Sequence, residues 1–353
     1  MSETKTLSQE RILIIMVGSV GEVIMATTVA VNLKKHFHGC HVTWLTNATA
    51  AEILQNNPDI DRVIAWDCPW TNAPSIKGHW RRAWREIKKL REMFRPYDFD
   101  VALDLHNSFL TGLIAYASGA TQRIGISDEH GGGRIFSATV AKIANPHKIC
   151  RYMTALHPFG IDEFTPAPLI AITPEMRKDA RRFWLAHGVD VSQPILMVSV
   201  NAGAVAKSWP PDYFGAALQS VSSEVQIIFC GLKKDAAAIK KAQHHVRGTL
   251  SVAGETTLTE LAALFADASL LLTADSSLCR LAEAVGLRTL SLWGPTRPEV
   301  YGSLNKEHIM LVSPDKCVGC QKNKCKRKDF RCMKAIKPAD VGEKLREILE
   351  PYL

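Results

Sequence analysis

The stretch Leu270-Leu-Leu-Thr-Ala-Asp275-Ser-Ser-Leu-Cys-Arg280-Leu-Ala-Glu-Ala-Val-Gly286, with Leu290-Ser-Leu-Trp-Gly-Pro-Thr296 after it, decides the fold class. An apolar run, a polar turn, a helix-spaced segment closed by glycine and a second apolar run read as strand, turn, helix and strand. That order belongs to a parallel α/β sheet, in which ligands bind at the carboxyl ends of strands, where this turn falls. Asp275, Ser276 and Ser277 stand at the helix N-terminus, whose free N–H groups and dipole favour a phosphate. Taken alone, the same turn is also an ordinary Asp/Ser helix cap.

The alternation continues on both sides. Residues 195–200, 225–229 and 289–293 read as strands, and 211–220 and 258–266 as helices. Near the other end, Arg11-Ile-Leu-Ile-Ile-Met-Val17 is an unbroken apolar run stopped by Gly18-Ser-Val-Gly21, the pattern of a central strand covered on both faces. Helical spacing over 22–37, strands at 41–46, 62–66 and 101–105, and a helix at 48–56 give a βαβαβ series. The chain of 353 residues is therefore read as α/β with two Rossmann-like domains, 1–172 and 173–337. A C-terminal helix, 338–353, is expected to pack back on the N-terminal domain.

With 46% apolar and 22% charged residues, the chain has ample core material. A formal charge of +8 favours an anionic partner such as a nucleotide, a phosphorylated lipid or a membrane surface. No zinc-finger spacing or aromatic-basic RNA signature accompanies it, so nucleic acid is not expected. No run reaches the ~18 apolar residues of a spanning helix. The run at Ile12 follows a mostly polar stretch and is broken by Glu22, unlike a signal peptide. A cytoplasmic protein, peripheral on the inner face of the membrane, is expected. The basic helix 79–94 carries Trp80, Trp84, Ile87 and Phe94 on one stripe. That stripe suits packing on a sheet or lying on an anionic membrane.

Three loops carry chemistry. Gly18-Ser19-Val20-Gly21-Glu22 follows a strand and opens a helix, but it lacks both the G-x-G-x-x-G and the Walker A spacing. Glu22 there is a first-turn helix acid, and also a carboxylate able to take a proton from an acceptor hydroxyl. In Asn201-Ala-Gly203-Ala-Val-Ala-Lys207-Ser-Trp-Pro-Pro211, the lone Lys207 is placed to neutralise a diphosphate leaving group as its charge develops. His106-Asn-Ser108 is the polar turn after the strand at 101–105. Cys317, Cys320, Cys325 and Cys332, separated by two, four and six residues within the Cys-rich segment 317–332, leave two readings. One is a structural tetrahedral zinc or iron site, the other a basic loop of reduced thiols.

Gly18-Ser-x-Gly-acid, Tyr97-Asp-Phe-Asp-Val-Ala-Leu-Asp-Leu-His106, Arg123-Ile-Gly-Ile126, Lys207-Ser-Trp-Pro210, Asp275-Ser276 and Gly294-Pro-Thr296 occur in this order. Together they resemble glycosyltransferase family 9, the lipopolysaccharide heptosyltransferases. The resemblance implies a GT-B fold, two Rossmann-like domains facing a central cleft. It implies an acceptor site in the N-terminal domain, with Gly18, Ser19, Gly21 and His106 on the acceptor side, and a nucleotide-sugar site in the C-terminal domain. It implies inverting transfer of heptose from ADP-heptose to the lipopolysaccharide inner core, with no cofactor required for catalysis. Glu22 matches the catalytic base, Lys207 the lysine on the donor phosphates, and Asp275, Ser276 and Ser277 the donor-binding turn. The family usually has aspartate where this chain has Glu22. It usually has Asp-Ser-Gly-Pro-Met-His where this chain has Asp275 to Arg280, which adds Arg280 to the expected donor contacts. Two other functions fit these departures: a related transferase with another donor or acceptor, and a non-catalytic sugar-binding homologue.

Overall fold

The computed structural model describes residues 9–67, 80–126, 136–140 and 144–352, with side chains of the helix Trp80–Phe94 described from residue 84. The chain divides into two compact units, Met1–Leu169 and Ile170–Leu353, where the sequence suggests a boundary at 172/173. In the first unit the described strands are β1 (Arg11–Ile15), β2 (His41–Thr46), β3 (Arg62–Ala65), β4 (Val101–Asp104), β5 (Gln122–Ile126) and β6 (Ala138–Val140). They form one parallel sheet in the order β3-β2-β1-β4-β5-β6. The second unit has β7 (Ile195–Ser199), β8 (Gln226–Phe229), β9 (Leu250–Ser251), β10 (Leu270–Ala274), β11 (Thr289–Trp293) and β12 (Ile309–Val312). Its order, β12-β11-β10-β7-β8-β9, repeats the same winding.

The strands that begin each sheet are the most apolar because they are covered on both faces. Ile12 to Ile15 of β1, and all of β7 and β10, are buried, each large side chain contributing roughly 1.5–3 kcal/mol of transfer free energy. In each unit the winding reverses between the first and fourth strands, so the loops after β1 and β4, and after β7 and β10, part to leave a crevice. Every chemistry-bearing loop found in the sequence, apart from the cysteine segment, leaves one of these four strands or β11.

The helix Pro338–Leu349 sends Val341, Leu345, Ile348 and Leu349 into the core of the second unit. It lies against the helix Pro211–Leu218, where a Cβ on Gly342 would stand 2.9 Å from Ser220 Oγ and 3.2 Å from the Ala217 carbonyl. In the helix Trp80–Phe94, Ile87 and Phe94 are core residues, and Phe94 meets Phe99 edge-on at 5.8 Å. Trp84 is 67% exposed, and the side chain of Trp80 lies outside the described residues.

Candidate active site

Ser19 and Glu22 close a capping box at the start of the helix Val20–His36. Glu22 Oε2 accepts the Ser19 N–H at 3.2 Å and its hydroxyl at 3.0 Å. The other oxygen, Oε1, accepts from Lys148 Nζ at 3.3 Å. The helix-cap and reactive-carboxylate readings of Glu22 thus use different oxygens of one side chain. Gly18 makes room for it, since a Cβ there would stand 3.1 Å from Glu22 Oε2 and 3.0 Å from Met16 Cε. Asn47, the cap of the next helix, holds the loop by donating to the Gly18 carbonyl at 2.8 Å. Gly21 is buried in the first helical turn.

Glu22, Gly18, Ser19, Asn47, Trp66, Asp67 and His106 line an open cavity of ≈ 550 Å³. His106 arrives from the loop after β4, which Asp104 shapes by accepting the N–H groups of His106 at 3.1 Å and Asn107 at 3.0 Å. Asn107 consequently sits at φ 57°, in the left-handed region. Burial pushes Asp104 up to about 7, against the bonds it accepts. Burial would also raise Glu22, but the Lys148 ammonium and the Ser19 bonds outweigh it and hold the carboxyl below its usual value. His106 lies below its usual value because burial disfavours its charged form and Lys148 opposes it, although Glu22 pulls the other way.

In the second unit, the loop after β7 turns at Gly203, φ +71°, and tightens into a single 3-10 turn at Val205–Lys207. Trp209 anchors it, fully buried, with its indole N–H on the Ile336 carbonyl at 3.0 Å. Lys207 Nζ is thereby brought 2.7 Å from Asp275 Oδ2, in the turn after β10. Ser276 caps the helix Ser277–Ala284 by accepting the Cys279 N–H at 3.3 Å, and Ser277 is exposed. Lys207, Asp275, Ser276 and Ser277 therefore gather at the switch point as expected. Arg280 does not join them through its guanidinium. Its side chain is 5% exposed, bonded to Glu283 at 2.8 Å and stacked 5.7 Å from the Trp293 ring.

The expected four-cysteine metal site is not supported: among the described residues no three His, Cys, Asp or Glu side chains are placed to hold a metal ion, although burial, and after it the nearby Cys317, Cys320 and Cys325, raise the Cys332 thiol. Positive φ at Gln321, Lys328 and Phe330 bends the segment so that its backbone braces the neighbouring loops. Gly319 N–H bonds the Gly294 carbonyl at 2.8 Å, Gln321 N–H the Pro295 carbonyl at 2.7 Å, and the Asn323 carbonyl accepts from Ala206 at 3.4 Å. Cys332 is buried beside Gly294, whereas Cys320 is exposed. The Cys325 thiol is lowered by backbone N–H groups of Phe330, Arg327 and Lys328, with burial acting against them. The segment is a strap over the Lys207 and Gly294-Pro-Thr296 loops.

Lys148 and Asp104 had not been singled out in the sequence. Lys148 lies 126 positions from Glu22, with no local pattern linking them. Asp104, by contrast, sits at a strand end before a polar turn, where a side chain that accepts backbone N–H groups is common.

Two sheets with this winding, each with polar loops converging at its switch point, give the fold of the GT-B class. The chain belongs to glycosyltransferase family 9 (heptosyltransferase), which residues 87–330 match. It is 22% identical over 311 residues to the lipopolysaccharide core heptosyltransferase OpsX of Haemophilus influenzae, covering 85% of this chain and 84% of that one. Its fold is similar to that of a family 9 glycosyltransferase from Veillonella parvula, with TM-score 0.84, 21% identity and coverage of 99% and 100%. It is similar also to E. coli heptosyltransferase WaaC solved with ADP-2-deoxy-2-fluoro heptose, with TM-score 0.72, 16% identity and coverage of 96% and 99%.

Proposed function

We propose that this glycosyltransferase moves heptose from ADP-heptose to the inner core of a nascent lipopolysaccharide, with inversion at the reacting carbon. The first unit takes the acceptor and the second the donor. Glu22 Oε1 removes the proton of the acceptor hydroxyl, whose oxygen attacks the anomeric carbon from the face opposite the diphosphate. The bond from that carbon to the phosphate oxygen breaks, and ADP leaves with the electron pair. Lys207, positioned by Asp275, meets the charge that develops on the diphosphate, and the N–H groups at Ser277 add the helix dipole. These steps use side chains and backbone alone.

The observation that carries this reading is Glu22, fixed through Oε2 by its cap, bonded through Oε1 to Lys148, and lining a cavity. The longer acid in place of the family's usual aspartate fits because Gly18 leaves the space its carboxylate needs. The buried pair Arg280–Glu283 gives the second departure a packing role, which weakens the case for a changed donor. The charge of +8 suits a phosphorylated acceptor lipid met at the inner face of the cytoplasmic membrane. Among the described residues no helix is long and apolar enough to cross one. The test is incubation with ADP-heptose and truncated lipopolysaccharides, read by mass spectrometry. A gain of one heptose on one acceptor supports the reading; binding of ADP-heptose without transfer to any acceptor overturns it.

A further inference from the structure

Two cavities meet at the loop after β4. The first, around Glu22, carries the carboxylates Glu22 and Asp67 beside Trp66. The second, of ≈ 310 Å³, shares His106 and Ser108 with it and is lined by Lys148, Arg151 and Tyr152. Lys148 and Arg151 are three residues apart in the helix Lys148–Met153, so both cations stand on one face. That helix is seated by buried Ile149, Cys150, Tyr152 and Met153. Charge is thus segregated between neighbouring cavities, acidic in one and basic in the other. Lys148 belongs to both, since it lines the second and bonds Glu22 in the first.

Hydroxyl groups of a sugar ring are good donors to carboxylates, whereas an acidic substituent beside Glu22 and Asp67 would be repelled by their like charges. The basic cavity offers the reverse: a guanidinium fork matches the planar oxygens of a carboxylate or phosphate. We propose that the second cavity takes an acidic group of the acceptor, a carboxylate or phosphate monoester, between Arg151 and Lys148, and that Lys148 is shared between that group and Glu22. This rests on reading the Glu22 cavity as the acceptor site. An anion arriving there draws on the Lys148 charge and leaves Glu22 a stronger base, so binding of the correct acceptor readies the proton transfer. Among the described residues, the other titratable groups lining the Glu22 cavity are Asp67 and His106, the latter held towards its neutral form.

The subsite can be read without turnover. Saturation-transfer NMR with glucuronate, glucose 6-phosphate and neutral glucose should show at least one acid binding about tenfold tighter than glucose, the scale of one charge-assisted contact. Arg151→Gln should abolish that preference and Arg151→Lys restore part of it, with thermal melts confirming that both fold. Equal binding of acids and glucose, or a preference that survives Arg151→Gln, overturns the proposal. In turnover, Arg151→Gln should raise the acceptor KM about tenfold and leave the donor KM unchanged. The effect should vanish with either the carboxylate-reduced or the phosphatase-treated acceptor, and the one that removes it identifies the group. If ADP-heptose is never transferred while Arg151-dependent acid binding persists, the heptosyl reading fails and the subsite stands.

Discussion

Lys207 Nζ and Asp275 Oδ2 lie 2.7 Å apart, so one ion pair ties the loop after β7 to the loop after β10 across the point where the sheet reverses its winding. Asp275 is only 9% exposed in its side chain and Lys207 22%, which makes the contact sensitive to loss of either partner.

Lys207→Met removes the cation expected on the departing diphosphate and leaves Asp275 unpaired. kcat/KM should fall by about 10²–10³, and the melting temperature should drop. Adding Asp275→Asn should recover the melting temperature but not the turnover. Recovery of both would mean that the lysine serves only the fold.

The pH dependence follows from Glu22. Burial raises its pKa, but Lys148 and Ser19 more than offset that, so the folded group titrates below 4.5. As the proposed base Glu22 works ionised, so kcat/KM should rise with pH along an acid limb whose midpoint lies below the usual carboxylate value, and level off above it. Lys148→Met should move that limb to higher pH. The stability contributed by the pair is present above the unfolded pKa and lost as pH falls through the folded one; acid unfolding should therefore begin at higher pH in the variant.

Arg280→Met leaves Glu283 as a buried charge without its cation. The expected loss is about 3–5 kcal/mol of stability, and Arg280→Met with Glu283→Leu should recover most of it by denaturant unfolding. The double variant should keep its affinity for ADP, because the guanidinium faces Glu283 rather than the switch point.

Asp104 has the opposite sign from Glu22. Its pKa is raised from 3.8 to about 7, so its contribution to stability is full below the unfolded value and is lost as pH rises towards the folded one. Asp104→Asn keeps an oxygen for the His106 and Asn107 N–H groups and has no charge to bury. Relative to the parent, the variant should gain stability steadily between about pH 4 and pH 7 and hold that gain above it, measured by denaturant unfolding across that range.

The central strands were legible because burial on both faces writes an unbroken apolar run, as in Ile12 to Ile15 and Leu270 to Leu272. Three of the four edge strands were not: β6, β9 and β12 are short and half-exposed, so neither length nor alternation marks them. Glu22, Lys207 and Asp275 could be placed because each follows a strand directly or within one loop. Lys148 could not, since its link to Glu22 exists only in the folded chain. The direction of the Arg280 side chain is not legible because position along a helix does not fix which way a long side chain runs; Glu283, three residues on, is the local signal of its ion pair. Four cysteines two, four and six residues apart suggest ligands, whereas left-handed residues at Gln321, Lys328 and Phe330 shape the segment into a strap.

If Glu22 is the base of the glycosyl transfer, neutralising it slows the chemical step and leaves donor binding intact. Single-turnover transfer from ADP-heptose to a truncated lipopolysaccharide, with both substrates saturating, compares wild type with Glu22→Gln, which can still pair with Ser19. The Glu22→Gln rate should be lower by about 10²–10⁴ with donor affinity unchanged; a rate within a few-fold of wild type would mean that Glu22 is not the base.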